Sequence, residues 1–505
     1  MNIAIRVDAS PQIGTGHFMR CLTLADTLKQ REASIRFICR HLPGYLQGIL
    51  IEKGYELTLL EGDSTGLLID DLAHSHWLVS SQERDAQDTV QVLSDRIWEW
   101  LVVDHYALDA RWESALRQSA RQILVIDDIA DRQHNCDILL DQNFYTDMHT
   151  RYSEKVPLAC RLLLGPQYAL LRDEFRRQRM DVKVRIGAVK RVLVFFGGID
   201  AENYTGRVID VLSEAKREEL LVDVVIGMQH PFRVQIETSC TEHKFTCHVQ
   251  TGSISGLMAK ADLAIGAGGS ATWERCCLGL PTIAIATAAN QLRQVGDAAG
   301  EGLLYAPEID KDFAGLVRRH LDALIENSNL RKLISQQGMS AVDGFGVLRL
   351  AKKMGCTGIK MRLATPDDSG ELFKWRNHEI LRAVSRNPEE FNWSDHQKWY
   401  AAVLSSSDRV LLIGEQQTVP VGVVRFDIEG NKAEVSIYLV PGMQLSGKGK
   451  ELLQSAEDWL ENFKPEIREI KAVVLGDNDR SHHLFSSADY QIDSTAYSKR
   501  LYEHA

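Results

Sequence analysis

The 505-residue chain lacks the features that define several large classes of protein. No apolar run reaches the roughly 18 residues that a membrane-spanning helix needs. The first residues, "MNIAIRVDAS", have no basic flank before a long apolar core, so they do not predict a signal peptide. We therefore expect a cytoplasmic protein that has no membrane partner.

Paired cysteine motifs are also missing. The nine cysteines are scattered without a CxxC pair, and the adjacent Cys276 and Cys277 suit neither a zinc knuckle nor an easy disulfide. This pattern favours reduced thiols packed in the interior. No cluster of Asp, His or Cys has metal-ligand spacing, so no metal cofactor is expected.

Basic residues are fewer than acidic residues in this chain. The chain has 58 Lys and Arg against 69 Asp and Glu, a formal net charge of −11. A general nucleic-acid binder needs a basic surplus to neutralise phosphates, so nucleic acid is not expected as a partner. A small local anion site remains compatible with this balance. The apolar content of 44% is ordinary for a soluble protein, and the length predicts two to four domains.

The pattern along the chain predicts three α/β blocks. In residues 1–170 short apolar runs such as "NIAIRV" and "QILVIDD" alternate with amphipathic segments, which is typical of a parallel sheet covered on both sides. Residues 171–356 repeat this alternation as a second doubly wound unit that ends in a long helical region. Residues 357–505 follow a segment whose glycines interrupt the helical pattern, and they combine helices with three clear strands.

A histidine stands in the first glycine turn, "DASPQIGTGHFMRC". Gly14 and Gly16 allow a tight turn between a strand and a helix, but the dinucleotide and Walker patterns both fail. His17 would lie at the first turn of the helix, where the dipole disfavours a second positive charge. Neutral imidazole can accept a proton from water, although a histidine that only hydrogen-bonds the loop fits the spacing equally well.

A second glycine turn follows a buried strand in "DLAIGAGGSATWERCCLGLP". Ser270 suits the N-cap of the next helix, and free backbone N–H groups with the Ser270 and Thr272 hydroxyls predict an anion site. Glu274, about one turn further on, could reach the hydroxyls of a bound ribose. The alternative for Ser270 is a simple cap.

Together these motifs resemble a known family. "DASPQIGTGHFMRC", "VVDHYALD", "IDDIADRQHNCDILLDQN", "FFGGID" and "GAGGSATWERCCLGLPTIAIATAANQ" occur in order over roughly residues 1–353 and are similar to the UDP-sugar hydrolase of pseudaminic acid biosynthesis. The resemblance implies two Rossmann-like domains in a GT-B arrangement with the site in the cleft. It also implies hydrolysis of UDP-2,4-diacetamido-2,4,6-trideoxy-β-L-altrose at the anomeric carbon.

The resemblance assigns roles to particular residues. His17 would deprotonate or orient the attacking water, and Asp8 would position His17 or sugar hydroxyls, unless it only forms the turn at the strand end. Asp128 and Arg132 would face the cleft, but a structural ion pair between them explains their presence equally well. The residues expected to bind the UDP-sugar are Gly14, Gly16, Arg20, Tyr106, Asp128, Arg132, Gly198, Gly269, Ser270, Thr272, Glu274, Asn290 and Gln291.

The third block carries a different set of motifs. "QLSGKG" matches the Gln/Arg-x-x-Gly-x-Gly/Ala turn of GNAT acetyltransferases, whose backbone N–H groups bind the pyrophosphate of acetyl-CoA. "LGDNDRSHHLFSSADYQ" resembles a later GNAT motif. "LFKWRNHEILRAVSRN" and "SDHQKWYAAVL" resemble the acceptor side of amino-sugar acetyltransferases from the same pathway.

This GNAT resemblance implies acetyl-CoA as cosubstrate. The expected cofactor-binding residues are Leu439, Gln444, Ser446, Gly447, Lys448, Gly449, Asn478 and Ser481, although Asn478 and Ser481 could equally cap a helix. Glu434, which shares one strand face with Ser436 and Tyr438, is the candidate base, unless it is only a solvated charge on the strand. Phe485 occupies the usual place of the general-acid tyrosine, so that role falls to Tyr490, Tyr438 or water.

The sequence therefore predicts a bifunctional enzyme. The third block would acetylate the 4-amino group of a UDP-amino sugar, and the first two blocks would then hydrolyse the product. The alternatives are a GT-B glycosyltransferase, or a non-catalytic sugar-nucleotide-binding scaffold, fused to an acetyltransferase. A peptide acceptor for the third block also stays open, because GNAT folds host many acceptors.

Overall fold

The computed structural model divides into two compact units, Met1–Cys356 and Thr357–Ala505. It describes residues 1–61, 70–179, 181–214, 219–308, 312–356, 358–385, 388–416, 419–441, 448–474 and 478–492. Within these ranges no helix is long and apolar enough to span a bilayer.

The first sheet of the first unit is parallel throughout, with the strand order β3-β2-β1-β4-β5-β6-β7. Its central strands are buried along nearly their whole length because helices cover both faces. The strands are β1 (Asn2–Val7), β2 (Ser34–Cys39), β3 (Glu56–Leu59), β4 (Trp98–Asp104), β5 (Ala120–Ile126), β6 (Ile138–Asp141) and β7 (Arg161–Leu164). The helices are α1 (Gly16–Gln30), α2 (Gly44–Glu52), α3 (Gln82–Val92) and α4 (Ala110–Leu116).

The second sheet is also parallel, in the order β10-β9-β8-β11-β12. Its strands are β8 (Arg191–Phe195), β9 (Leu221–Ile226), β10 (Thr246–Val249), β11 (Leu263–Ala267) and β12 (Thr282–Ile285). The helices that belong to this part of the chain are α5 (Asp173–Arg179), α6 (Tyr204–Glu214), α7 (Arg233–Glu242), α8 (Ile254–Lys260), α9 (Ala271–Cys277), α10 (Ala289–Gly300), α11 (Phe313–Glu326), α12 (Ser328–Ala341) and α13 (Gly346–Lys353).

The strand order reverses once in each parallel sheet, between β1 and β4 and between β8 and β11. At such a switch point the turns after the two neighbouring strands diverge and leave a crevice at the carboxyl edge. Both glycine turns singled out in the sequence follow one of these strands. The predicted fold class, two Rossmann-like halves with a cleft between them, is confirmed by this topology.

The last helix of the first unit does not stay with the second sheet. Val347, Leu350 and Met354 of α13 and its C-terminal end pack into the core formed by β1, β2 and α1, and the Trp100 indole donates to the Met354 carbonyl at 3.0 Å. Within the predicted second half, residues 171–356, the chain therefore crosses back to the first sheet before the first unit ends.

The second unit holds one mixed sheet in the order β13-β14-β15-β16-β17, antiparallel except for the β16–β17 pair. Separate apolar clusters lie on its two faces. Its strands are β13 (Lys360–Leu363), β14 (Arg409–Gln416), β15 (Val419–Glu429), β16 (Lys432–Leu439) and β17 (Glu469–Ala472). Its helices are α14 (Ser369–Asn377), α15 (Glu379–Ala383), α16 (Trp393–Leu404), α17 (Lys448–Phe463) and α18 (Asp479–Ser487).

Candidate active site

A cavity of about 950 Å³ opens between the carboxyl edges of the two parallel sheets in the first unit. Turns after β1, β8, β9 and β11 form much of its wall. The predicted residues that line it are Gly14, Gly16, His17, Arg20, Tyr106, Asp128, Gly198, Gly269, Ser270, Glu274 and Gln291.

His17 lies on the first turn of α1, in the wall of this cavity. Gly14 has a φ of +78° and donates its N–H to the Ser10 carbonyl at 2.8 Å, so the turn brings α1 back against the sheet. The His17 side chain is 11% exposed, and its ring meets that of Tyr106 edge-on, with 4.6 Å between the ring centroids. The imidazole therefore reaches the cleft from a fixed position.

Asp104, the last residue of β4, holds the His17 ring. Its Oδ1 lies 2.6 Å from His17 Nδ1, and the carboxylate is completely buried. Burial alone would raise the pKa of Asp104, but the charges of Arg20 and His17 hold it well below its usual range. The ionised carboxylate accepts a hydrogen bond from Nδ1–H, so in the neutral ring Nε2 is the nitrogen that can accept a proton.

Sequence reasoning did not single out Asp104, although it lies in the quoted run "VVDHY". An acidic residue at the end of a buried strand, next to the strand that leads into the histidine turn, is the signal that could have found it. The carboxyl ends of adjacent parallel strands lie at the same edge of the sheet, so the two residues meet there.

Arg20, one turn after His17, links the site to its surroundings. Its guanidinium binds both oxygens of Asp104, at 2.6 and 2.7 Å, and reaches Asp128 Oδ2 at 2.8 Å. The Tyr106 hydroxyl donates to the other oxygen of Asp128. These charges are paired among themselves, which orders the wall behind His17.

Asn143, which was also not predicted, connects the two halves of the first unit. Its Nδ2 donates to Asp128 at 3.2 Å, and its Oδ1 accepts from the Trp273 indole and from Gln294, both at 2.9 Å. The donors Trp273 and Gln294 belong to the second half, so the buried Asn143 amide links the wall that carries His17 to the opposite side of the cleft.

Asp8 does not take the role expected of it. Its carboxylate is completely buried, and it accepts from Arg6 at 2.6 Å and from the backbone N–H of Arg40 at 2.7 Å. The His105 ring lies 3.2 Å away. Asp8 is therefore a member of a buried ion network outside the cavity wall, and the carboxylate that positions His17 is Asp104.

Arg132 also lies outside the wall. It pairs with Asp127 and Asp131, both at 2.9 Å, and donates to the Leu108 carbonyl at 2.8 Å. The considered Asp128–Arg132 ion pair does not form, because Asp128 faces Arg20 instead. The Arg132 guanidinium lies over the Tyr106 ring, 5.7 Å from its centroid, in a cation–π contact.

The second glycine turn, residues 266–270, lies across the cavity. Gly269 has a φ of +87°, and a Cβ on Gly268 would come within 2.5 Å of Val295. Ser270 occupies the N-cap position of α9 and is exposed, but its hydroxyl makes no capping bond. The turn therefore presents backbone and a free Ser270 side chain to the cleft.

Thr272 is not available to a ligand. Its side chain is buried, and its hydroxyl accepts from Arg275 Nη2 at 3.3 Å. Glu274 does line the cavity, where burial raises the pKa of its carboxyl, and Arg172 Nη2 lies 3.4 Å away. Of the two, only Glu274 could reach a bound ribose.

The remaining predicted residues of the first unit lie on turns around the cleft. Gly198 lines it after β8, and its carbonyl accepts from the Gly227 N–H at 3.1 Å. Gln291 on α10 lines it while accepting from Thr287 at 3.0 Å. Asn290 also lies on α10, but its side chain falls outside the described residues.

In the second unit, β16 and β17 pair only from Lys432–Glu469 to Val435–Ala472. Within the described residues, Ser436–Leu439 thus have no strand partner on the β17 side. Leu439, predicted to contact the cofactor, ends this unpaired stretch. An extended ligand could add its own hydrogen bonds there.

Part of the predicted acetyl-CoA turn, Gln444, Ser446 and Gly447, lies outside the described residues. Lys448 and Gly449 begin α17, and the Lys448 ammonium is bound by Gln416 and Glu451. Asn478 caps α18 by accepting from the Ser481 N–H at 3.1 Å, which is the capping alternative considered for these residues.

Glu434 and Tyr490 do not face a common centre. Glu434, Ser436 and Tyr438 share one face of β16, as predicted, because Ala433 and Val435 point into the opposite core. Tyr490 packs against that opposite core and donates to Glu457 of α17 at 2.7 Å. The phenol on the same face as Glu434 is therefore Tyr438.

Comparison with known proteins gives a family for the second unit and relatives for the first. Residues 374–490 match the family described as "Acetyltransferase (GNAT) family". A Campylobacter jejuni UDP-2,4-diacetamido-2,4,6-trideoxy-beta-L-altropyranose hydrolase is 28% identical over 217 residues, which are 43% of this chain and 67% of that protein.

Two further relatives extend over more of the chain. The spore coat polysaccharide biosynthesis protein SpsG of Bacillus subtilis is 22% identical over 360 residues, 69% of this chain and 96% of its own length. The uncharacterized protein MJ1062 of Methanocaldococcus jannaschii is 21% identical over 504 residues, 97% of each chain. The chain thus joins a part similar to a UDP-sugar hydrolase and to SpsG with a GNAT domain, as the sequence predicted.

Proposed function

We propose that this chain is a bifunctional sugar-nucleotide enzyme. Its first unit hydrolyses UDP-2,4-diacetamido-2,4,6-trideoxy-β-L-altrose to the free sugar and UDP. Its second unit acetylates the 4-amino group of the precursor UDP-amino sugar with acetyl-CoA. The His17–Asp104 pair in the wall of a cleft carries the first half of this proposal, and the similarity to the C. jejuni hydrolase supports the choice of substrate.

In the hydrolytic step, His17 Nε2 takes a proton from a water molecule as its oxygen bonds to the anomeric carbon. The bond from that carbon to the diphosphate oxygen breaks, and UDP leaves with the electron pair. Asp104 keeps the ring in the productive tautomer and stabilises the imidazolium. UDP is a good leaving group, so a second carboxylic acid to protonate it is not required.

The opposite wall supports a site for UDP. The backbone of residues 267–270 and the Ser270 hydroxyl border the cavity, and Glu274 lies one turn further along α9. We assign the diphosphate to the turn and the ribose hydroxyls to Glu274. Water that attacks from the His17 side, opposite the leaving diphosphate, would invert the anomeric centre.

For the second unit, the unpaired part of β16 fits an extended pantetheine arm, and the start of α17 fits the pyrophosphate of acetyl-CoA. The amine attacks the thioester carbonyl, and the CoA thiolate leaves. Glu434 is assigned as the base that removes the ammonium proton, directly or through water, and Tyr438 as the candidate acid for the thiolate.

One arginine near Tyr438, Arg376, supports an acceptor that carries a diphosphate. Burial raises the pKa of Tyr438, and the positive charges of Arg376 on α14 and Arg425 on β15 oppose that rise. Arg376 is half-buried, which lowers its own pKa. Arg425 is paired with Asp427 at 2.8 Å, so Arg376 is the cation that favours an anionic acceptor over a polycationic amine.

The first experiment measures UDP release from the proposed substrate by the purified chain, without acceptor or added metal. We expect release by the wild type and a loss of at least about 100-fold in His17→Gln, because the general base is absent. His149→Gln, which changes an exposed histidine, is the matched control and should release UDP at the wild-type rate.

Equal rates in wild type and His17→Gln would contradict the assignment of His17. Release only after a sugar acceptor is added would indicate a glycosyltransferase, and binding without turnover would indicate a scaffold.

The second experiment follows CoA release from acetyl-CoA with the UDP-amino sugar as acceptor. Wild type should release CoA, and Glu434→Gln should lower kcat with little change in the KM for acetyl-CoA. Transfer to a peptide but not to the UDP-amino sugar would overturn the proposed acceptor.

A further inference from the structure

Arg275 on α9 is a buried cation that forms no ion pair among the described residues, and the charge of its neighbour Glu274 only partly offsets the effect of burial on its pKa. It is 2% exposed, and within the described part of the chain its Nε and Nη1 have no hydrogen-bond partner and no carboxylate pairs with it. Only Nη2 is satisfied, by the Ala267 carbonyl at 2.6 Å and the Thr272 hydroxyl at 3.3 Å. Burial lowers its pKa to about 10. An unpaired charge in the interior is costly, so such a group needs a compensating partner.

The position of Arg275 suggests what that partner is. Arg275 does not line the cavity, but Ala267, to whose carbonyl it donates, does. Its Nη1 would be 2.8 Å from a Cβ on Gly266, so the guanidinium packs directly against the glycine turn. The guanidinium thus lies next to the backbone of residues 266–267, of which Ala267 borders the cavity.

The cavity wall cannot neutralise a diphosphate by itself. Its described lining contains two arginines and no lysine, and both arginines are already paired. Arg20 binds Asp104 and Asp128, and Arg172 binds Glu174 at 2.8 Å and approaches Glu274. Asp200 adds a further negative charge to the lining. A bound diphosphate would therefore meet no free cationic side chain in the wall itself.

We propose that Arg275 is the counter-charge of the diphosphate and acts through the turn of residues 267–270 without touching the ligand. It positions the turn by binding the Ala267 carbonyl, and its charge favours an anion on the other side of that backbone. This inference rests on the proposed function, because it assumes that UDP occupies the turn.

The test compares the binding of UDP and of uridine, which lacks the diphosphate, to the whole chain by calorimetry. In Arg275→Met we expect UDP affinity to fall about 10- to 100-fold and uridine affinity to change less than about threefold. Arg275→Lys keeps the charge and should retain most of the preference for UDP. The apo form of Arg275→Met should be as stable as the wild type or more stable, since an unpaired buried charge has been removed.

Arg331→Met is the matched control. Arg331 is equally buried, but carbonyl groups bind it, including that of Ile325 at 2.8 Å. Its loss should lower stability without changing the ratio of UDP to uridine affinity.

An unchanged ratio of UDP to uridine affinity in Arg275→Met would overturn the proposal. Failure of both Arg275→Met and Arg275→Gln to fold without ligand would also overturn it, because Arg275 would then be required for the fold itself. Absence of UDP binding by the wild type would instead contradict the proposed function itself.

Discussion

At the scale of the residue, the site is organised around buried carboxylates whose partners come from distant parts of the chain. Asp104 joins His17 and Arg20, and Asp128 joins Arg20, Tyr106 and Asn143. Each ionised carboxylate is compensated by a guanidinium or by several donors, which is the condition for keeping charges inside a protein. His17 is thus held by groups that cannot rearrange independently of one another.

Replacing Asp104 with Asn tests this arrangement. The amide cannot stabilise an imidazolium and can hold the wrong tautomer, so UDP release should fall about 100- to 1,000-fold with little change in UDP affinity. Steady-state rates and calorimetry with UDP check both parts. Cys21→Ala, which removes a thiol 3.4 Å from the same carboxylate, is the control and should keep most of the activity.

His134 gives a prediction about pH and stability. Burial alone would lower its pKa, but Glu113, 2.7 Å away, and Asp127 raise it to about 9. Below pH 6.5 His134 is protonated in both the folded and the unfolded chain, so its interaction with Glu113 and Asp127 stabilises the fold in full. Between pH 6.5 and 9 the unfolded chain has lost the His134 proton while the folded chain still holds it. The free energy of unfolding should therefore fall by up to about 3 kcal/mol as the pH rises through this range.

Urea unfolding at several pH values measures this effect. The slope over pH 6.5–9 should be smaller in His134→Gln than in the wild type. Parallel curves for the two proteins would contradict it.

At the scale of the element, the strands that the sequence missed have a common position. Apolar runs in the sequence predict the inner strands of all three sheets, such as β1 from "NIAIRV", β9 from "LVDVVIGM" and β14 from "RVLLIGEQ", and they also predict the edge strand β12 from "PTIAIAT". The missed strands β3, β7, β10, β13 and β17 are each four residues long and lie at the edges of the described sheets. Edge strands are half exposed and short, so they lack the continuous apolar run that marks a buried strand.

Gly266 on β11 has a role set by strand pairing. A Cβ there would lie 2.2 Å from the Phe195 carbonyl of the adjacent β8. Gly266→Ala should therefore lower the free energy of unfolding by about 2–4 kcal/mol. Gly296→Ala on α10, where no atom lies within 4 Å, should raise it by about 0.5–1 kcal/mol. Denaturant unfolding of both variants checks the pair, and equal effects would contradict the packing argument.

At the scale of the whole molecule, each unit has its own interior. Every hydrophobic cluster among the described residues lies within 1–356 or within 358–492. A domain that buries its own core can fold without its neighbour. The two activities that we propose, hydrolysis and acetyl transfer, are therefore assigned to units with separate cores.

Expressing residues 1–356 and 357–505 separately tests this independence. Each fragment should unfold cooperatively, and we expect UDP release from the first and acetyl transfer from the second at rates within about threefold of the full chain. Circular dichroism melts and the two assays give the readout. An aggregated or molten first fragment would show that its fold depends on the second unit.

Local features of this protein could be predicted from neighbouring residues alone. A strand, a glycine turn and a helix are set by neighbouring residues, so the His17 turn, the turn at residues 266–270 and the α/β alternation could all be read from the sequence. The shared strand face of Glu434 and Tyr438 could also be predicted from the sequence, because side chains in a strand alternate between its two faces with a period of two residues.

Contacts between side chains from distant parts of the chain depend on the assembled fold. Asp104 is 87 positions from His17, and Asn143 is 151 positions from Gln294, yet strand order and the closing of the cleft bring each pair into contact. Asp8 was the nearer carboxylate in sequence, but the adjacent strands turned it towards Arg6 and Arg40. Local propensity does not encode such pairings, because they depend on which strands become neighbours when the sheets assemble.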